Sequence, residues 1–130
     1  MSWLLLALLG EWGDAVTTYC AVVSGVGREA NPSLQAVNHD PWYAFFVAAV
    51  QSAVLLAIWL LSATRARYMV LYAVAVHAAV KLAAVLNNML AFVGPTLVDV
   101  VGFETFELAR LVALVTAVAV GYHRSRGYAA

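Results

Sequence analysis

Glu11, Asp14 and Thr18 stand at i, i+3 and i+7, so a helix through them carries all three in one stripe. His77, Lys81 and Asn88 stand at i, i+4 and i+11, and Glu107 and Arg110 lie three apart with Glu104 one turn before them. Gln51 is the one strongly polar residue in the middle of a long apolar run. Two acids, a base, an imidazole and amides at helical spacing suit a proton or ion relay, or a site for a charged solute. The same set also suits a structural ion pair, Asp14 with Lys81 and Arg110 as competitor. His77 beside Glu11 reads as a proton shuttle or a satisfied buried histidine. A lone imidazole with one acid falls short of a metal set, so neither a metal nor a cofactor is expected.

These residues sit in a chain whose composition decides their surroundings. Of 130 residues, 65% are hydrophobic and 11% charged, against roughly 45–50% and 25% in ordinary globular domains. The expected solvent is lipid, and the whole chain reads as one domain. Seven acids balance seven bases, which argues against nucleic acid as a partner. Cys20 is the single cysteine and reads as a small apolar helix residue.

A membrane span needs about 20 apolar residues. The pattern predicts four, at about 3–25, 42–62, 68–92 and 104–122, and hence an all-α bundle. Asp40 is the expected N-cap and Pro41 the first helical residue of the second span. Gly94-Pro95 separates the third span from the fourth, and Asn31-Pro32 ends the first. The start "MSWLLLALLGEWGDA" has no basic leader region, and Glu11 interrupts its apolar run; it reads as the first span, not a signal peptide. Arg65 and Arg67 fall between the second and third spans, and Arg124 and Arg126 after the fourth. The excess of basic residues on that side predicts an inner-membrane protein with both termini cytoplasmic. The longest connection, Val26 to Asp40, is expected to form an ordered cap over the outer face.

Counting about 1.5 Å per helical residue puts Asp14, Lys81 and Gln51 near mid-bilayer. Glu11 and His77 fall about one turn toward the cytoplasm, and Thr18 and Arg110 about one turn outward. Charges at such depth cost at least ~2.5–3.5 kcal/mol each, so they are expected to face the interior and find partners. Asn87 and Asn88 are expected to bridge helices, and the alanines of the third span to let neighbours come close.

Asp14, Thr17, Thr18 and Tyr19, followed by Gly27, Glu29, Asn31 and Pro32, form a pattern D-x-x-T-T-x…G-x-E-x-N-P. This resembles a family of small, uncharacterised archaeal and bacterial integral membrane proteins known as a domain of unknown function. The resemblance implies a small helical bundle in a prokaryotic membrane and carries no activity.

Three functions fit these residues. The first is a proton- or ion-coupled transporter or channel, working as an oligomer, which requires a water-accessible cavity touching Asp14 and Glu11. The second is a structural or accessory subunit of a larger membrane complex, which requires a dry, fully paired network. The third, least favoured, is an intramembrane enzyme with Glu29, Asn31, Glu104 and Glu107 gathered at the outer face. Beyond the lipid bilayer, the expected partner is a second copy or a larger complex.

Overall fold

The computed structural model describes residues 2–26, 40–62 and 66–127. Among these there are five helices and no strand: α1 Ser2–Val23, α2 Tyr43–Leu61, α3 Arg67–Leu90, the short α4 Leu97–Val101, and α5 Phe103–Gly127. Arg65, Glu29, Asn31 and the cap expected between Val26 and Asp40 lie outside the described residues.

Two helices are long and apolar enough to cross a membrane. The stretches are Tyr43–Leu60 and Arg67–Leu90, each with mean hydropathy 2.0. One expectation about their ends needs correction. Helix α2 starts at Tyr43, with Trp42 at the N-cap and no side chain capping it. Asp40 instead accepts from the Trp42 N–H at 3.0 Å, closing a local turn ahead of the helix.

Small residues decide which helices lie side by side. A Cβ on Gly10 would sit 2.8 Å from the Lys81 Cβ, so hydrogen there lets α1 and α3 close on each other. Ala7 and Ala78, buried at the same seam, extend the close approach. The contacts rise together along both helices, from Leu4 beside Val74 to Thr18 beside Asn88, so α1 and α3 run parallel. Helix α2 lies antiparallel on α1, held by rings: Tyr19 meets Trp42 at 5.0 Å and Phe45 at 5.6 Å. Helix α5 lies antiparallel on the far side of α3. A Cβ on Gly121 would come within 2.6 Å of the Met69 Cα, and Arg124 donates to the Tyr72 hydroxyl at 2.7 Å.

The order across the molecule is therefore α2, α1, α3, α5. Helices α2 and α5 make no contact with each other, nor do α1 and α5. Toward the end bearing Arg67, Arg124 and Arg126, Leu4, Ala7, Leu55, Val74 and Ala78 pack α1, α2 and α3 together in one apolar cluster. Toward the other end the helices leave a cavity between them.

Helix α4 lies at that open end. Thr96 and Asp99 cap each other: Thr96 Oγ1 accepts from the Asp99 N–H at 3.1 Å, and Asp99 Oδ2 accepts from the Thr96 N–H at 2.9 Å. Asn87 Oδ1 accepts from the Val98 N–H at 3.0 Å and ties this turn to α3. Gly102, at φ 83°, makes the reversal into α5 in the left-handed region.

Candidate functional site

The seam that Gly10 permits brings the α1 acids onto the α3 bases. Glu11 is 1% exposed. Its Oε1 is hydrogen-bonded to His77 Nε2, and its Oε2 lies 3.0 Å from the Lys81 ammonium. That second contact is an ion pair without hydrogen-bond alignment, since Oε2 has no hydrogen-bond partner among the described residues. The same ammonium donates to Asp14 Oδ2 at 3.0 Å. Lys81 thus bridges two carboxylates three residues apart on α1.

Two turns further along α3, the Asn88 amide closes the network. Its Nδ2 lies 3.0 Å from Asp14 Oδ1, 3.1 Å from Thr17 Oγ1 and 2.9 Å from Thr18 Oγ1. Thr17 also donates to the Gly13 carbonyl of its own helix at 2.9 Å, the back-bond expected of a mid-helix threonine. His77, Glu11, Lys81, Asp14 and Asn88 form a continuous polar chain along the α1–α3 seam. With His77 neutral it holds two negative charges and one positive; a proton on His77 balances it.

Arg110 does not join this chain. It pairs with Glu107 on its own helix at 2.9 Å, and its side chain is 52% exposed, so its expected competition for Asp14 is corrected. The physical reason is the arrangement of the helices: α5 touches α3 but not α1, and a partner one turn away is already in reach.

A cavity of about 810 Å³ fills the open half of the molecule. Its base is the network, with Glu11, Asp14 and Thr18 from α1 and Lys81 and Asn88 from α3. One wall is α2, through Tyr43, Val47 and Gln51; the other is α5, through Phe103, Phe106, Glu107 and Arg110. Asn87 and Asp99 line it toward the open end. His77 does not line the cavity, and its side chain is 31% exposed, so it meets Glu11 from outside that space. The polar chain thus reaches from the cavity to a histidine outside it. Gln51 Oε1 is buried and accepts no hydrogen bond among the described residues.

Of the residues singled out in the sequence, Glu11, Asp14, Thr18, His77, Lys81 and Asn88 form one connected network, and Gln51 and Arg110 line the cavity with all of them but His77. Glu104 is exposed and Glu107 lines the wall, so the two do not gather into one site. No group of three or more His, Cys, Asp or Glu side chains that would hold a metal occurs among the described residues. Sequence reasoning missed the aromatic walls. The signal was available, because Tyr43, Val47 and Gln51 recur every four residues and Phe103, Phe106 and Arg110 every three or four.

The family model described as domain of unknown function DUF5658 matches residues 4–94. The chain belongs to this family. The match takes in α1, α2 and α3, hence every member of the polar chain, and stops before α5 with Glu107 and Arg110. No curated protein and no solved structure matches the chain.

Proposed function

We propose that this protein is a small proton-coupled carrier of a charged solute, built as four membrane-spanning helices with both termini cytoplasmic. The observation that carries the reading is the cavity whose base is the Glu11–Lys81–Asp14 network. A charge network that served only to clamp helices would be buried away from any such space.

Several features support the membrane setting. Large apolar side chains stand exposed on the outward faces of α2 and α5, among them Leu60 at 80% and Leu108 at 62%. Lipid covers such surface without cost, whereas water does not. Helices α1 and α5 are both long enough to span, at 22 and 25 residues. The basic side chains Arg67, Arg124 and Arg126 share one end, which becomes the cytoplasmic one of a prokaryotic inner membrane. The cavity then opens outward, and the Leu4–Leu55–Val74 cluster is the inner seal.

Coupling follows from charge. A cavity solute contacts Asp14 and Lys81, while His77 exchanges a proton with Glu11 behind them. Either event changes the charge felt by the other through Lys81, which lies between the two carboxylates. Four thin helices with α2 and α5 apart leave the cavity open at the side, and a second copy is the partner we assign to this reading.

The test is flux in liposomes reconstituted with the protein, with a pH-sensitive dye in the lumen and sodium, potassium or alkylammonium salts outside. Proton flux that disappears in Asp14→Asn, in a variant that still inserts and folds, is the expected result. Absence of flux in every version, with Lys81→Met unfolding the protein and Asp14→Asn added to it partly restoring it, would leave a structural clamp. That outcome would point to the accessory-subunit reading.

A further inference from the structure

We infer that the end of the molecule bearing Arg67, Arg124 and Arg126 is a docking surface for the phosphate headgroups of anionic phospholipids. The inference rests on the membrane placement proposed above and not on carriage.

The surface is made where α5 closes on α3. Gly121 lies against the Tyr68 and Met69 backbone, so the last turns of α5 stand beside the first turn of α3. Arg67 and Arg126 are both exposed there. Arg124 donates to the Tyr72 hydroxyl at 2.7 Å, and its guanidinium lies 5.5 Å from the centre of the Tyr68 ring. The Arg126 guanidinium lies over the Tyr122 ring, 5.1 Å from its centre. A ring against one face of a guanidinium steadies the group and leaves its N–H edge available.

Charge decides what that edge meets. Neither Arg67 nor Arg126 forms an ion pair among the described residues; Arg124 is already engaged and is left out of the balance. No Asp or Glu occurs before Glu11, from Pro41 to Val98, or after Glu107. The link between α2 and α3 and the residues after α5, described or not, therefore bring no acidic side chain. The acids Asp40, Asp99, Glu104 and Glu107 all belong to the opposite end. A guanidinium fork matches the oxygens of a phosphate, and arginines at the membrane surface are drawn to anionic lipid.

Apolar surface decides between a lipid and a free anion. Val120 and Tyr122 are exposed within about one turn of Arg124, and Leu5 and Leu60 are exposed toward the same end of α1 and α2. A free phosphate leaves these side chains bare, whereas the acyl chains beneath a lipid phosphate cover them.

The test titrates palmitoyl-oleoyl phosphatidylglycerol, or phosphatidylcholine with the same chains, into the full-length protein in detergent micelles. Native mass spectrometry counts the lipids bound. Tighter binding of phosphatidylglycerol is expected. Arg67→Gln and Arg126→Gln should each weaken it about fivefold, and together roughly twenty-five-fold. Both side chains are exposed, so the double variant keeps its fold, which an unchanged thermal midpoint checks. Arg67→Lys with Arg126→Lys retains both charges and should retain most of the preference.

Equal binding of the two lipids would overturn the inference. So would a double Gln variant that binds phosphatidylglycerol like the native protein, or a double Lys variant that loses as much as the Gln one. Displacement of phosphatidylglycerol by an equal concentration of inorganic phosphate would overturn it in favour of a free anion. Phosphatidylglycerol binding without any flux in liposomes would remove the carrier reading and leave this surface standing. Proton flux without a lipid preference would do the reverse. Failure of the membrane placement shows separately, as protein that stays monodisperse once detergent is removed.

Discussion

Lys81 carries one positive charge between two carboxylates, and the consequences of removing it belong to the residue scale. Lys81→Met leaves Glu11 and Asp14 facing each other with no cation between them. Breaking a buried ion pair from one side costs about 3–5 kcal/mol, and we expect that loss in reversible unfolding of the protein in detergent micelles. Adding Asp14→Asn to Lys81→Met removes one of the two stranded charges and should recover part of it. A double-mutant cycle showing no coupling would mean that the 3.0 Å contact to Asp14 contributes nothing. His77 presents a different case, because it supplies the hydrogen bond to Glu11 Oε1. His77→Ala leaves that oxygen without a donor on a side chain 1% exposed, for a loss of about 1–3 kcal/mol. His77→Gln retains an amide donor and should lose less; equal losses would show that the hydrogen bond is immaterial.

At the scale of elements, glycine positions set the spacing that the side chains need. Gly121 on α5 lies against the backbone of α3, where a Cβ would come within 2.6–2.8 Å of Met69 and Tyr68 backbone atoms. Gly121→Ala therefore forces the two helices apart. Overpacking of this kind costs roughly 1–3 kcal/mol, and a lowered thermal midpoint in micelles is expected. Gly127→Ala, where a Cβ meets nothing within 4 Å, is the control and should leave the midpoint unchanged. Helix α4 depends on its capping box. Thr96→Ala removes the acceptor for the Asp99 N–H, a loss of about 0.5–2 kcal/mol. Faster amide hydrogen exchange in Leu97–Val101, with α3 unaffected, is the expected signature. These devices were unevenly legible. Alanines along α3 announced close approach, but nothing in their spacing said that α1 would meet α3 in parallel, with α2 antiparallel on α1's other side, and the part played by Gly10 went unread. Asp40 was misread for a related reason: an Asp before Pro fits both an N-cap and a local turn, and here the turn closes first.

The whole molecule joins a sealed half to an open one, and that contrast can be measured from outside. In a Cys20→Ser background, Gln51→Cys places a thiol on the cavity wall and Leu55→Cys one in the apolar seal, four residues along the same helix. A membrane-impermeant methanethiosulfonate added to intact cells should modify the first and spare the second. Gly127→Cys in the same background should react only after the membrane is opened, if the basic end is cytoplasmic. Reaction of Gly127→Cys in intact cells would reverse the orientation, and an unreactive Gln51→Cys would deny water access to the cavity. The pattern of apolar exposure makes both experiments feasible, since the exposed Leu and Val side chains on α2 and α5 leave few polar routes inward.

The sequence by itself determined the all-helical class and where the four long helices lie, but it gave no sign of the short α4 at Leu97–Val101. A fixed rise per residue leaves little freedom along a helix axis, so Asp14 and Lys81 come to one level, where their 3.0 Å contact joins α1 to α3. Height along an axis says nothing about azimuth or neighbours. Only the tertiary structure decided that one lysine bridges both acids, that Asn88 gathers Asp14 with two threonines, and that Arg110 turns to Glu107. Those outcomes rest on which helices touch. That choice was made by hydrogen atoms where side chains are absent, at Gly10 and Gly121, and by the rings that hold α2 on α1. The cavity is the space left where α2 and α5, each held to a different neighbour, fail to meet.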